Sequence, residues 1–316
     1  MADLGLTIAG VALKNPVMTA SGTFGYGREY GCFFPLNRLG AVVTKGITLE
    51  PRAGNPGPRV VETPAGMLNS IGLQNPGVDG FIADELPSMR EAGVPVIVNV
   101  SGHSPAEYGE VAARLDGLEG VSALEINVSC PNVDQGGMAF GVDPRSVAEV
   151  VAGCRRRTRL PLITKLTPNV TSLAPVARAA VEAGTDAVSL INTLVGMVID
   201  VVSRRPVLAR GAGGLSGPAI RPVAVRAVYE VAAAIEVPVI GLGGIVTAED
   251  ALQFIMAGAS AVAVGTALFA DPLAACRVVE GLAAWCDGQG VSWIGEIVGA
   301  ANPAFRGRRP GRMTEC

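Results

Sequence analysis

The sequence predicts an α/β fold: a closed (β/α)8 TIM barrel with an N-terminal hairpin and active-site loop insertions. Three observations carry that expectation. Eight short β-branched runs recur along the 316 residues, stretches of helical periodicity separate them, and every run stops at a glycine or a polar side chain. Near-continuously apolar strands alternating with helices imply a parallel sheet covered on both faces. An open doubly wound sheet is the alternative. It would call for G-x-G-x-x-G after the first strand with a helix opening on it. Here the first strand runs into Ser21-Gly22-Thr23-Phe24-Gly25, which has neither feature.

In chain order, Leu4–Ile8 and Val11–Leu13 read as a hairpin around Ala9-Gly10 that closes the N-terminal end of the barrel. Strands are expected at Val17–Ala20, Ala41–Thr44, Val96–Val100, Ala123–Val128, Leu162–Leu166, Ala187–Ile191, Val239–Leu242 and Ala261–Val264. Helices are expected at Phe81–Glu91, Pro105–Leu115, Arg145–Thr158, Leu173–Ala183, Ile220–Ile235 and Ala248–Met256. Asp143-Pro144 and Thr171-Ser172 are expected to open two of them, and Gly93, Gly184 and Gly258 to close three. No linker or second core is visible, so residues 1–303 read as one domain and 304–316, with its four arginines, as a flexible tail.

Composition excludes several functions. The chain is 49% hydrophobic and nearly neutral, with 25 basic and 28 acidic residues, which excludes disorder. A net charge of −3 without a basic run argues against nucleic acid as partner. The uncharged run Ala251–Ala270 reaches the length of a membrane span, about 20 residues. Gln253, Gly258, Ser260, Gly265 and Thr266 break it into a helix end, a short strand and a turn, so it reads as buried core rather than a membrane segment. The N-terminus carries Asp3 and no basic region ahead of an apolar stretch, so no signal peptide is expected and the location reads as cytoplasmic. Cys32, Cys130, Cys154, Cys276, Cys286 and Cys316 show neither CxxC nor metal-ligand spacing, and no metal site is expected. Most such thiols are small buried hydrophobes.

Barrel chemistry occupies the C-terminal strand ends. Those ends are Ser21-Gly22, Lys45-Gly46, Asn99, Asn127, Lys165, Asn192-Thr193, Gly243-Gly244 and Gly265-Thr266. Any one could cap a loop; eight in register point to a site. The glycine turns after the last two strands suit a phosphate cradle, although glycines also make plain tight turns. Whether that phosphate belongs to a substrate or a cofactor stays open. Cys130, just past the fourth strand, is the thiol placed for chemistry, because near a lysine it can act as base or nucleophile. His103, the only histidine, has no evident partner and reads as a loop residue or one standing behind the residues that touch a ligand. Gly136–Gly141 suits a lid or a plain surface loop. Met67–Asn75 adds a mixed polar and apolar segment before the third strand.

From Leu6 to about Trp293 the chain resembles class 1 dihydroorotate dehydrogenase. The resemblance rests on Thr44-Lys45-Gly46, Asn69–Asn75, Asn127–Asn132, Lys165, Ile191–Gly196, Gly213–Ile220 and the two glycine turns. The combination of NxSCPN, MLNxxGLxN and GGLSGPAI is specific. Gly136–Gly141 and Gly213–Ile220 resemble the B subtype, which uses NAD through a partner subunit.

The resemblance implies FMN across the strand ends, its phosphate on Gly243-Gly244 and Gly265-Thr266. Ser21, Lys45, Gly46, Asn99, Asn127, Lys165, Ile191 and Gly217 would contact the rest of it. Dihydroorotate or orotate would be held by Lys45, Asn69, Ser70, Ile71, Gly72, Leu73, Asn127, Asn132, Asn192 and Thr193. Side-chain amides match the alternating donors and acceptors of a pyrimidinedione. Cys130 would be the general base at carbon 5 while hydride leaves carbon 6 for the flavin, and Lys45 would offset developing negative charge. The cysteine also marks class 1, because the membrane-associated class uses serine and carries an extra N-terminal segment, for which this chain leaves little room. A homodimer is implied, and a heterotetramer with a subunit holding FAD and an iron–sulfur cluster, for which this chain lacks the cysteine spacing. Gly46 and Ser70 stand where relatives vary among small residues, and the arginine-rich tail has no counterpart. Three rivals remain: a barrel lyase or isomerase with Lys165 or Lys45 as Schiff-base lysine, a dihydropyrimidine-type reductase, and a non-catalytic ligand-binding subunit.

Overall fold

Residues 2–129, 131–132 and 138–313 are described by the computed structural model. Eight parallel strands form its centre: β1 (Val17–Thr19), β2 (Val42–Val43), β3 (Val96–Val100), β4 (Val121–Asn127), β5 (Leu162–Lys165), β6 (Ala187–Leu190), β7 (Val239–Leu242) and β8 (Ala261–Val264). From β2 to β8 each strand pairs with its sequence neighbour, and β8 pairs with β1. A parallel bridge from Met18 to Ala41 joins β1 to β2 and closes the ring. The open-sheet alternative falls on that closure. Every residue of β3, β5, β6, β7 and β8 is buried, as strands covered on both faces require.

Local sequence sets the helices around this ring. Ser104 accepts from the Glu107 amide ahead of Pro105–Leu115, and Asp143 accepts from the Ser146 amide ahead of Pro144–Arg155. Both helices have proline in the first turn, where its missing N–H costs nothing. Thr247 and Asp250 form a reciprocal capping box at the start of Ala248–Ala257, and Gly258 ends that helix at φ 128°. The opening expected at Thr171-Ser172 falls elsewhere. Leu173, not Thr171 or Ser172, precedes Ala174–Glu182, and no side chain caps it. Phe81–Glu91 also differs, beginning four residues earlier as Gly77–Gly80 and passing through a π turn at Phe81–Glu85. A further helix, Ala274–Gln289, completes the barrel after β8.

The run Ala251–Ala270 divides into the end of one helix, β8 and the short helix Ala267–Ala270. Among the described residues no helix is long and apolar enough to cross a membrane. Leu6–Ile8 and Val11–Leu13 form the expected antiparallel hairpin, turning at Ala9-Gly10. Gly311–Arg312 adds a third strand to it, anchored by a 2.7 Å Arg312–Asp3 ion pair. The tail expected to fray is therefore paired at that point, because Leu6 and Thr7 offer it an open strand edge.

The insertions after β2 and β6 build a second, antiparallel sheet over the strand ends. Its order is Leu194–Gly196, Gly213–Ser216, Gly66–Asn69, Val60–Thr63. Two segments distant in sequence thus meet at Leu68 and Leu215, on the same side of the barrel as the polar strand ends.

Candidate active site

A cavity of about 680 Å³ lies between the strand ends and the antiparallel sheet. That size is within the range of ligand pockets, about 300–1,000 Å³. The ends of all eight strands reach it, through Ser21, Lys45-Gly46, Asn99, Asn127, Lys165, Ile191-Asn192-Thr193, Gly243-Gly244 and Gly265-Thr266. Gly217 from the antiparallel sheet lines it as well.

Within the insertion after β2 the chain turns just past Gly66–Asn69, with Gly72 at φ 78° and Leu73 at φ 54°. Asn69, Ile71 and Leu73 face the cavity, whereas Ser70 and Gly72 do not line it. The Ser70 carbonyl instead accepts from Asn55 Nδ2 at 2.9 Å, and a Cβ on Gly72 would meet the Asn55 amide nitrogen at 2.7 Å. Cys130 lies outside the described residues, as do Gly136 and Gly137 of the glycine-rich loop. The Asn132 backbone pairs with Met138. His103 stands outside the cavity, its ring against Arg52 and its amide donating to Glu107 at 2.7 Å.

The floor is polar and buried. Lys165 and Glu125 are each 4% exposed, with Nζ 3.7 Å from Oε2. Lys165 Nζ donates to Ser21 Oγ at 2.8 Å. Asn99 Nδ2 donates to Glu125 Oε2 at 2.8 Å, and Ser189 Oγ donates to Glu125 Oε1 at 2.9 Å. Asn99 Oδ1 is buried with no hydrogen-bond partner among the described residues, and a Cβ on Gly46 would come within 3.0 Å of it. Glu125 and Ser189 were not among the expected site residues. A signal existed: Glu125 is a carboxylate in an otherwise apolar strand, two residues before Asn127 and therefore on the same face.

The wall beside the floor is amide-rich. Asn192 Nδ2 donates to Asn127 Oδ1 at 3.2 Å and to Ser129 Oγ at 2.8 Å. The Tyr108 hydroxyl, from the helix after β3, donates to the Asn127 carbonyl at 2.7 Å and fixes the end of β4. Across the mouth, burial pushes the half-buried Lys45 ammonium below the usual lysine range, and the Arg59 guanidinium adds to the depression. Arg59 also lines the cavity and donates to Gln74 Oε1 at 2.5 Å; the sequence reading passed over it.

The glycine turns are tightly built. Gly244 has φ 76°, and a Cβ there would sit 2.7 Å from the Gly217 carbonyl oxygen. Gly217 has φ 96° and packs on Gly66, where a Cβ would meet Cα at 2.6 Å. Thr266 Oγ1 donates to Ser216 Oγ at 2.8 Å and joins the last strand end to the antiparallel sheet. Asp250, by accepting from the Val246 and Thr247 amides, holds the far end of the Gly243-Gly244 turn.

The family model for dihydroorotate dehydrogenase matches residues 3–285. The chain belongs to the dihydroorotate dehydrogenase family. It is 56% identical over 298 residues to the protein of Geotalea uraniireducens named dihydroorotate dehydrogenase B (NAD(+)), catalytic subunit, covering 94% of this chain and 98% of that one. Proteins of the same name from Desulforudis audaxviator and Desulforamulus reducens are 57% and 55% identical. These two alignments cover 94% and 95% of this chain, and 97% and 99% of theirs. Membership in the dihydroorotate dehydrogenase family accounts for a barrel whose polar residues gather at the strand ends.

Proposed function

We propose that this chain oxidises dihydroorotate to orotate in pyrimidine biosynthesis. In this reading it is the FMN-binding catalytic subunit of a cytoplasmic dihydroorotate dehydrogenase of the B type. The observation that carries the reading is the cavity at the strand ends, with a buried ammonium on its floor, amides along its wall and glycine turns at its far side. The residues fit FMN. Asn99 Oδ1 is a buried acceptor without a partner among the described residues, suited to a ring N–H. Lys165 supplies positive charge beside it, and Ser21, Gly46, Asn127, Ile191 and Gly217 surround the same space. Gly243-Gly244 and Gly265-Thr266 would hold the phosphate, since backbone N–H groups without side chains can approach it closely.

Bound FMN would accept hydride from carbon 6 of the substrate. The chain's own residues bind, orient and remove the proton. Asn69, Asn127, Asn132, Asn192 and Thr193 would read the pyrimidinedione edge, and Ile71 and Leu73 would pack on the ring, with Ser70 and Gly72 shaping the segment that carries them. Lys45 would face the substrate's negative charge. Cys130 Sγ would take the proton from carbon 5. Lys165 is poorly suited to a Schiff base, because its nitrogen is already engaged by Ser21 and Glu125. The name "catalytic subunit" borne by the relatives supports a partner, and we assign FAD and an iron–sulfur cluster to that subunit, which would pass electrons to NAD. Two copies of each subunit would form a heterotetramer around a homodimer of this chain.

Substitution at Cys130 tests the reading. Cys130→Ala should slow flavin reduction by dihydroorotate at neutral pH by roughly 10²–10⁴-fold, the usual worth of a positioned general base. An unchanged rate in that variant refutes the assignment of the base.

A further inference from the structure

We propose that Glu125 is a positioning residue for the cofactor. Its buried carboxylate sets the charge of the Lys165 floor and fixes the direction of the Asn99 amide. The inference rests on the FMN reading above and adds a residue that does not itself line the cavity.

The geometry runs across four strands. Glu125 stands on β4, Asn99 on β3, Lys165 on β5 and Ser189 on β6. Both carboxylate oxygens are engaged, Oε1 by Ser189 and Oε2 by Asn99, with the ammonium 3.7 Å from Oε2. A carboxylate of this kind only accepts hydrogen bonds. Asn99 can therefore meet it with Nδ2 alone, because turning the amide round would set two acceptors against each other. The consequence is visible on the opposite side of that amide: Oδ1 is buried, has no hydrogen-bond partner among the described residues and lies next to the cavity beside Gly46. Glu125 thus decides that the floor offers an acceptor there.

The second consequence is electrostatic. An ammonium 4% exposed needs a counter-charge, and Glu125 is the carboxylate placed against it. The pair gives the floor a positive end at Lys165, moderated by the negative charge behind it. Glutamine keeps the shape and removes that charge. Its NH2 group can also face Asn99, which frees the amide to present Nδ2 to the cavity. The cofactor then meets a donor in place of an acceptor, and a more positive floor.

The test is an FMN titration of apoprotein, followed by flavin fluorescence, and a midpoint potential, for wild type and Glu125→Gln. Wild type is titrated first; a chain that binds no FMN overturns the functional reading, and this inference with it. The expected result for Glu125→Gln is an FMN dissociation constant raised about tenfold or more. Reduced FMN should lose less affinity than oxidised FMN, by about tenfold in ratio, a rise of about 30 mV for a two-electron couple. A purely structural role would leave the potential where it is. If a folded, FMN-binding variant keeps both quantities, to within twofold in affinity, Glu125 does not position the cofactor. Should Glu125→Gln fail to fold, Ser189→Ala removes the donor to Oε1 and keeps the charge. FMN affinity about threefold weaker then supports the inference, and unchanged affinity overturns it.

Discussion

Replacing Lys165 by methionine should destabilise the apoprotein more than its loss of packing explains. The methionine fills much the same space, so the cost falls on Glu125, left 4% exposed without its cation. Removing one partner of a buried ion pair costs about 3–5 kcal/mol. Glu125 would keep its hydrogen bonds from Asn99 at 2.8 Å and Ser189 at 2.9 Å, which places the expected loss at the lower end, about 3 kcal/mol. For a chain of this size that is a fall in melting temperature of about 4–5 °C. The double variant Lys165→Met with Glu125→Gln removes the stranded charge and should recover at least half of the loss. Thermal melts and urea titrations without added flavin measure this directly, because no ligand then contributes to stability. The reasoning is refuted if Lys165→Met melts with wild type, or if the double variant is no more stable than the single one.

Gly244→Ala should weaken FMN about 10–100-fold with a small change in melting temperature. The positive φ costs roughly 1–2 kcal/mol for alanine, and the new Cβ, 2.7 Å from the Gly217 oxygen, must push the turn out of place; FMN titration reads the effect. Cys154 should stay unlabelled by a thiol reagent until urea unfolds the chain, because burial pushes its thiol up to about 12, whereas the exposed Cys32 reacts in the native state. Deprotonation of Lys45 should weaken orotate binding at a pH below the usual lysine value of 10.5. Arg59→Gln removes one cause of that depression and should move the break to higher pH in a spectral titration. Asp116 accepts from Thr158 Oγ1 and the Arg159 amide, which hold its carboxyl below 3.8. That stability is present above the ordinary value and is lost as pH falls through the lowered one, so Asp116→Asn should be less stable than wild type at neutral pH and converge with it in acid.

The barrel was readable in the sequence because its signals are local. Each strand is a short apolar run, and Asp143-Pro144 marks a helix start within a few residues. The strand ends were readable for the same reason, since Asn99, Asn127 and Lys165 follow apolar runs directly. Pairings between distant segments were not. The antiparallel sheet joins residues 60–69 to residues 194–216, and neither segment carries a pattern that names its partner. Glu125 and Ser189 are 64 positions apart, and only the closed ring brings them together. Thr171 and Ser172 mislead because they have the chemistry of caps, while the helix begins at Ala174 with no side-chain cap among the described residues.

Anaerobic mixing of the purified, FMN-loaded chain with dihydroorotate tests the central claim most directly. The account predicts that the yellow colour bleaches with no partner subunit present, and that dihydrouracil leaves it unchanged. A chain that takes up no FMN, or one bleached by dihydrouracil and not by dihydroorotate, would contradict it.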